Sequence, residues 1–264
     1  MLLGSGNVAT QLGLALLKAG HKVDQVYSRH YESARALALK LRSVPVGSLD
    51  DLSMEADFYI LATRDDAAEK VIRKLAVRRK KEGGKNKLIV HTSGTLPLSL
   101  IKPASTSYGV LYPLQTLSKN KMIDFTQVPV CIEGNTKATE KQLKLLAGSV
   151  SKNVYVVPSD KRKVLHLAAV FACNFSNHMY SVAEKILKKN KLPFKILLPL
   201  IQETAERAKA GSPLQMQTGP AIRGDQSVMK EHLRMLHNDK MLAEIYRLMS
   251  RDIGEKPDIL RNKS

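Results

Sequence analysis

The stretch Leu2-Leu3-Gly4-Ser5-Gly6-Asn7-Val8-Ala9 decides the fold. Two apolar residues run into Gly-x-Gly-x-x-Ala. Behind it Leu12, Ala15, Leu16 and Ala19 recur at helical spacing until Gly20 stops the helix. That order is strand, tight turn, helix. Gly4 permits the sharp turn, Gly6 lets the backbone approach a pyrophosphate, and Ala9 lets the helix pack closely on the strand. The free N–H groups and positive dipole end of the helix then face the phosphates. In this context the pattern reads as a dinucleotide site rather than an ordinary turn, with Gly4, Ser5, Gly6, Asn7 and Val8 as its expected contacts. Few residues precede Gly4, so either the first strand is short or the sequence continues before Met1.

Working outward, residues 22–27 read as a second strand with Val23 and Val26 as its apolar members, ending in Ser28-Arg29. A carboxylate at such a strand end holds the ribose hydroxyls of NAD, whereas a cation there suits the 2′-phosphate of NADP. Asp24 comes too early to take the acidic role. Ser28 can donate a hydrogen bond and Arg29 can pair with phosphate in a bidentate fork, which favours NADP. The bland reading of Arg29 is an exposed arginine.

Residues 33–41 carry a helix pattern, and 57–63 a short, continuously apolar strand of the kind found in parallel sheets. Thr63, Arg64 and Asp65 follow it at the edge where cofactors bind, while Asp66 with Glu69 matches a capping box. Residues 87–91 form the next strand, followed by the loop Thr92-Ser93-Gly94-Thr95, with Ser93 and Gly94 as further cofactor contacts and Pro97 opening a short helix. An extended piece over 108–117 contains Tyr112-Pro113-Leu114-Gln115-Thr116. A strand over 128–133, a helix over 136–146 and a last strand over 153–157 complete a doubly wound parallel sheet with a less regular edge.

Strand signals stop at Ser159-Asp160, either of which can cap a long helix reaching about residue 189. From 164 to 175 that helix is apolar nearly all round, which implies burial in a helical domain or an interface. A second helix over 193–209 is expected to bend at Pro199. A loop dense in Gly, Pro and Thr over 211–225, helices over 227–236 and 239–253, and a polar tail follow. The expected division is a Rossmann-like domain over 1–158 and an all-α domain over 159–264.

The polar residues His166, Cys173, Asn174 and Asn177 fall on one broad face of the long helix at about 100° per residue. Buried polar groups must be paired or must line a site. His166 can transfer protons near neutral pH, and Asn174 and Asn177 can orient a substrate, as can Gln115. His178 lies round the helix and reads as structural. Glu203 is either a general acid or base or a surface partner of a lysine. In the loop Gln217-Thr218-Gly219-Pro220-Ala221-Ile222-Arg223-Gly224-Asp225, Arg223 either pairs with Asp225 or receives an anion, with Thr218 beside it.

The 264 residues carry 42 Lys and Arg against 24 Asp and Glu, a net charge of +18. The excess sits in short runs such as Arg78-Arg79-Lys80-Lys81, 85–87, Lys161-Arg162-Lys163 and Lys188-Lys189. None is interleaved with aromatics and there is no Trp. Solvated surface, rather than nucleic-acid binding, is the reading. No apolar run suits a membrane span and no signal peptide opens the chain. Cys131 and Cys173 give neither a disulfide framework nor a metal site, which fits a reducing cytoplasm.

Taken together these motifs resemble a family of NADP oxidoreductases in which a Rossmann-like domain precedes a helical domain of unknown function. The matching residues are Gly4 to Ala9, His91-Thr92-Ser93-Gly94, Tyr112 to Thr116, His166 to Phe171 with Asn174 to His178, Pro199-Leu200-Ile201 with Glu203-Thr204, and Thr218 to Asp225. More distantly the layout is similar to pyrroline-5-carboxylate reductase, ketopantoate reductase and the beta-hydroxyacid dehydrogenases. The resemblance implies a C-terminal domain like that of 6-phosphogluconate dehydrogenase, dimerisation through it, and a nicotinamide in the cleft between domains. The beta-hydroxyacid dehydrogenases carry a catalytic lysine four residues before an asparagine. Here that position is Val170, so His166 is the expected proton donor instead. The expectation is an NADP-dependent oxidoreductase acting on a small carboxylate-bearing metabolite. The rival is an NADP-binding sensor or scaffold without turnover.

Overall fold

The computed structural model describes residues 1–82 and 87–255, and the chain divides into two compact units, Met1–Met179 and Tyr180–Ser264. Lys85 of the expected charge run and the polar tail beyond residue 255 lie outside the described residues.

The first unit is organised on one sheet. Its elements are β1 (Leu2–Leu3), α1 (Asn7–Lys18), β2 (Gln25–Tyr27), α2 (Tyr31–Leu41), β3 (Val44–Val46), β4 (Phe58–Leu61), α3 (Asp65–Glu82), β5 (Leu88–His91), β6 (Tyr108–Pro113), β7 (Val130–Gly134), α4 (Lys137–Val150) and β8 (Val154–Val156). The order across the sheet is β3-β2-β1-β4-β5-β6-β7-β8. β1 to β6 are parallel; β7 is antiparallel to β6, and β8 runs with β7. The doubly wound sheet expected from the sequence is therefore present, and the reversed pair is its irregular edge.

Strand alternation sorts the core into two layers. Leu2, Val26, Ile60, Val90 and Leu111 face one side, under Leu12 and Leu16 of α1, Leu37 and Leu41 of α2 and Leu143 of α4. Leu3, Tyr27, Tyr59, Leu61 and Ile89 face the other, under Val71, Ile72 and Leu75 of α3. Each such buried side chain contributes about 1.5–3 kcal/mol of transfer free energy. One row of paired residues, Val46, Tyr27, Leu3, Leu61, His91 and Val110, crosses six strands. The residues just past that row, Ser28, Gly4, Ala62 and Thr92, therefore share one carboxyl edge.

Several local expectations need correction. β3 is not foreseen, because Val44-Pro45-Val46 carries a proline. Pro45 is tolerated because β3 is an edge strand. Asp66 does not cap α3: the helix begins at Asp65, and the Asp66 carboxylate pairs with Arg64 at 3.0 Å. α2 begins at Tyr31, two residues early. The long helix is α5 (Ser159–Ala169), a π-helical segment (Val170–Phe175) and α6 (Ser176–Lys189). Its N-cap position is Pro158, so neither Ser159 nor Asp160 caps it. The π segment breaks the 100° count, so the single polar face drawn through Asn174 and Asn177 is interrupted. Within one chain the helix is not buried: Val164, Leu167, Phe171 and Phe175 are all at least half exposed.

After α6 the second unit consists of α7 (Leu198–Ala210), α8 (Pro220–Arg223), α9 (Gln226–Met235) and α10 (Lys240–Gly254). Pro199 does not bend α7 but starts it, since a proline in the first turn forfeits no helical hydrogen bond. Asp239 caps α10 by accepting the Leu242 N–H and also pairs with Lys185 at 2.9 Å. His232 on α9 and Tyr246 on α10 share a hydrogen bond of 2.8 Å. No helix among the described residues is long and apolar enough to cross a membrane.

His91 ends β5 and is buried, with Nε2 unpartnered among the described residues. Burial first, and the Arg162 guanidinium second, lower its pKa from 6.5 to about 4. The unfolded chain then binds a proton that the folded chain refuses, so stability falls as the pH drops from about 6.5 towards 4 and levels off below that. The loss attributable to His91 is about 3 kcal/mol. Denaturation midpoints measured between pH 7 and 4 should show this slope, and His91→Gln should flatten it.

Candidate functional site

Gly4 occupies φ +126°, and a Cβ there would lie 2.3 Å from the Ala62 carbonyl oxygen, a backbone atom that cannot yield. The Gly4 N–H donates to Tyr27 O at 2.8 Å. The chain thus turns tightly between the ends of β2 and β4 and enters α1. Gly6 is the N-cap of α1, with φ −77° and ψ −169°, a conformation open to any residue. No side chain caps the helix, and a Cβ on Gly6 would point into open space. The first-turn N–H groups are thereby left to a ligand.

They open on a cavity of about 550 Å³ whose lining includes Gly4, Ser5, Gly6, Asn7, Val8, Ser28, Arg29, Thr63 and Arg64. Nine of the twelve expected cofactor residues therefore meet around one space. Its other cations are Lys70 and Lys74, one turn apart on α3, and its lining carboxylate, Asp66, is already paired with Arg64. Thr63 Oγ1 is buried without a partner among the described residues, an orphan that a polar ligand atom would satisfy. An uncapped helix start, an open Gly6, an orphaned hydroxyl and a surplus of cations fit a phosphorylated dinucleotide. His30, Lys70 and Lys74 also line the cavity and were not singled out in the sequence. Their signal was a histidine beside Arg29 and a lysine pair at i,i+4.

Asp65 and Ser93 lie beside this cavity. Ser93 Oγ donates to the Asp65 carboxylate at 2.9 Å, and Thr95 Oγ1 donates to the same oxygen. The loop after β5 is so fastened to the start of α3. The next residue, Gly94, packs against a pair: Tyr112 Oη and His166 Nδ1 are 3.0 Å apart. A Cβ on Gly94 would lie 2.7 Å from His166 Nδ1 and 2.9 Å from Tyr112 Cζ.

Arg162, one turn before His166 on α5, is fully buried. It donates to Glu133 Oε2 on β7 at 2.6 Å, to Leu96 O at 2.5 Å and to Ser159 Oγ at 3.1 Å. Ser159 donates in turn to Glu133 and accepts the Leu98 N–H. Burial, then the neighbouring Cys131 thiol, raises the pKa of Tyr112, and burial likewise pushes the Cys131 thiol up. Tyr112 belongs to the Tyr112-Pro113-Leu114-Gln115-Thr116 motif, whose spacing alone assigns it no chemical role. Its signal was a tyrosine ending a strand at the cofactor edge.

The remaining expected residues are placed as follows. Gln115 accepts its neighbour's N–H, from Thr116, at 2.8 Å. Asn174 and Asn177 are exposed on the π segment and the first turn of α6. Glu203, Thr218 and Arg223 belong to the second unit, where Arg223 pairs with Asp225 at 3.0 Å.

A family model described as NADP oxidoreductase, coenzyme F420-dependent, matches residues 1–93, and a domain of unknown function, DUF2520, matches residues 128–253. A solved structure from Bacteroides fragilis, whose name gives it as an NADP oxidoreductase, is 42% identical over 97% of each chain, with a TM-score of 0.90. The chain belongs to this family. The family's cofactor is NADP, the cofactor expected from the sequence. An imine reductase from Myxococcus stipitatus in complex with NADP+ shares the fold at 16% identity, covering 96% of this chain and 92% of its own, with a TM-score of 0.65. A pyrroline-5-carboxylate reductase from Coxiella burnetii shares it at 13% identity, covering 97% and 98%, with a TM-score of 0.60. No curated protein matches the chain.

The two glycines of this family member separate folding from binding. Gly4→Ala should cost stability on the order of 1–3 kcal/mol, because both φ and the Ala62 carbonyl oppose it. Gly6→Ala should stay within roughly 0.5 kcal/mol of wild type in stability yet weaken NADPH binding about tenfold or more. Thermal melts and calorimetric titration of both variants check the pair.

Proposed function

We propose that the protein is an NADP-dependent reductase that passes hydride between NADP(H) and a carbonyl or imine carbon of a small carboxylate-bearing metabolite, or back from the corresponding alcohol or amine. The observation that carries this reading is the uncapped start of α1 opening on a cation-rich cavity. Gly4, Ser5, Gly6, Asn7 and Val8 would hold the pyrophosphate on backbone N–H groups. Ser28 and Arg29, helped by His30, Lys70 and Lys74, would hold the 2′-phosphate. Thr63, Arg64, Asp65, Ser93 and Gly94 would bound the remainder of the cofactor. NADPH supplies the hydride when bound. His166 supplies the proton, and Asn174, Asn177 and Gln115 orient the substrate. In the second unit, Glu203 is the proposed further acid or base, and Thr218 and Arg223 are the proposed contacts for an anion.

The exposed stripe of Val164, Leu167, Phe171 and Phe175, the last two in an edge-to-face pair at 4.9 Å, supports a homodimer formed through the long helix. Two cysteines without a disulfide support a cytoplasmic protein.

The sensor reading draws support from Val170, which stands where the beta-hydroxyacid dehydrogenases carry lysine. It is opposed by the His166–Tyr112 pair, since a pure binder has little use for such a pair. NADPH oxidation over a panel of keto acids, aldehydes and cyclic imines separates the two. Turnover that drops about 100-fold or more in His166→Ala, with NADPH affinity retained, supports the reductase. Unchanged turnover removes His166 from the chemistry, and tight NADPH binding without turnover anywhere on the panel supports the sensor.

A further inference from the structure

Tyr112 has no role in the reading above, yet its hydroxyl has a single hydrogen-bond contact among the described residues, His166 Nδ1 at 3.0 Å. The tyrosine is fixed from several sides. It pairs with Cys131 across β6 and β7, is followed by Pro113, and packs against Gly94 so closely that no Cβ fits between. His166 is fixed as well, because Arg162 fastens the preceding turn of α5 to β7 and to Leu96. The two rings meet edge to face at 65°, with centroids 6.1 Å apart.

The direction of the hydrogen bond follows from what each group can do. Burial keeps the phenol protonated at neutral pH. A protonated phenol has one proton to donate, and the acceptor within reach is Nδ1. An imidazole that accepts on Nδ1 carries its own proton on Nε2, and Nε2 has no partner among the described residues.

We infer that Tyr112 is a positioning residue that donates to Nδ1 of His166, holds the ring as the Nε2–H tautomer, and makes Nε2 the atom that faces substrate. The role rests on the reductase reading, whereas the tautomer does not. In the reducing direction with a carbonyl substrate, hydride addition leaves an alkoxide oxygen. That oxygen takes the Nε2 proton while the Tyr112 proton moves to Nδ1. The O–H bond of Tyr112 and the N–H bond of Nε2 break; an N–H bond at Nδ1 and the product O–H bond form. The negative charge comes to rest on the phenolate; after the product leaves, water protonates Nε2 and Nδ1 returns its proton to the phenolate, which restores the Nε2–H tautomer and leaves hydroxide in the solvent. This sequence avoids an imidazolate, which a neutral histidine acting alone would become. It also accounts for a glycine at position 94, where any side chain would wedge the pair apart.

The test is a long-range ¹H–¹⁵N spectrum of the full chain, labelled in its histidine rings, without nucleotide and at a pH where the rings are neutral. His166→Ala assigns the signals. The wild-type protein should show His166 with a protonated Nε2 and a bare Nδ1. Tyr112→Phe should move it towards the mixed tautomers of free imidazole. In turnover Tyr112→Phe should lower kcat by roughly ten- to a hundredfold and change the KM for NADPH less than about threefold. A protonated Nδ1 in wild type, or a spectrum unmoved by Tyr112→Phe, overturns the inference. Should Tyr112→Phe fail to fold, the wild-type spectrum decides the tautomer by itself. A correct tautomer without turnover on any substrate would leave the hydrogen bond standing and refute the reductase reading.

Discussion

One fully buried guanidinium holds the functional half of the first unit together. Arg162 reaches Glu133 on β7, the Leu96 carbonyl in the loop after β5 and the Ser159 hydroxyl in its own first turn. Buried ion pairs are a poor source of net stability, because desolvation offsets most of the attraction. They are well suited to fixing geometry, since removing either partner strands a buried charge. Here the geometry is the placement of a helix against a sheet edge. With that turn fixed, His166 follows four residues later beside Tyr112, and the Ser93–Gly94 loop cannot drift from it. The same charge helps keep His91 neutral.

The second constraint is the turn at Gly4. The parallel register puts the ends of β2, β1, β4 and β5 in one line, so backbone turns and polar loops collect at a single edge. The cavity at the start of α1 and the loop that packs on the Tyr112–His166 pair are both drawn from that edge. Asp65, at the start of α3, accepts from Ser93 and Thr95, and Gly94 between them packs directly against the Tyr112–His166 pair. This arrangement follows the general rule for open α/β sheets, in which ligands bind outside the carboxyl ends of the strands.

Much of this was legible in the sequence, for physical reasons that differ from residue to residue. Gly-x-Gly-x-x-Ala encodes a tight turn that only glycine fits at position 4, so the fold and much of the lining of the cavity could be read from it. Ser28-Arg29 was legible because strand ends fix position. β3 was hidden by Pro45, which an edge strand tolerates. Asp66 was misread because a capping box and an ion pair with Arg64 look alike along the chain. The face of the long helix was misjudged because a π segment has no compositional signature and shifts every later residue. Lys70, Lys74 and Tyr112 were missed because their placement arises from packing across the sheet edge, which no local spacing records.

The central claim is that this edge binds NADP through the start of α1 and the cations beyond β2. Calorimetric titration with NADPH and NADH, on wild type and Arg29→Ala, tests it most directly. The account predicts NADPH binding at least about tenfold tighter than NADH, as one charge-assisted contact to the 2′-phosphate would give, and collapse of that preference in Arg29→Ala. Binding of neither nucleotide, or equal binding of both with no effect of Arg29→Ala, would contradict it.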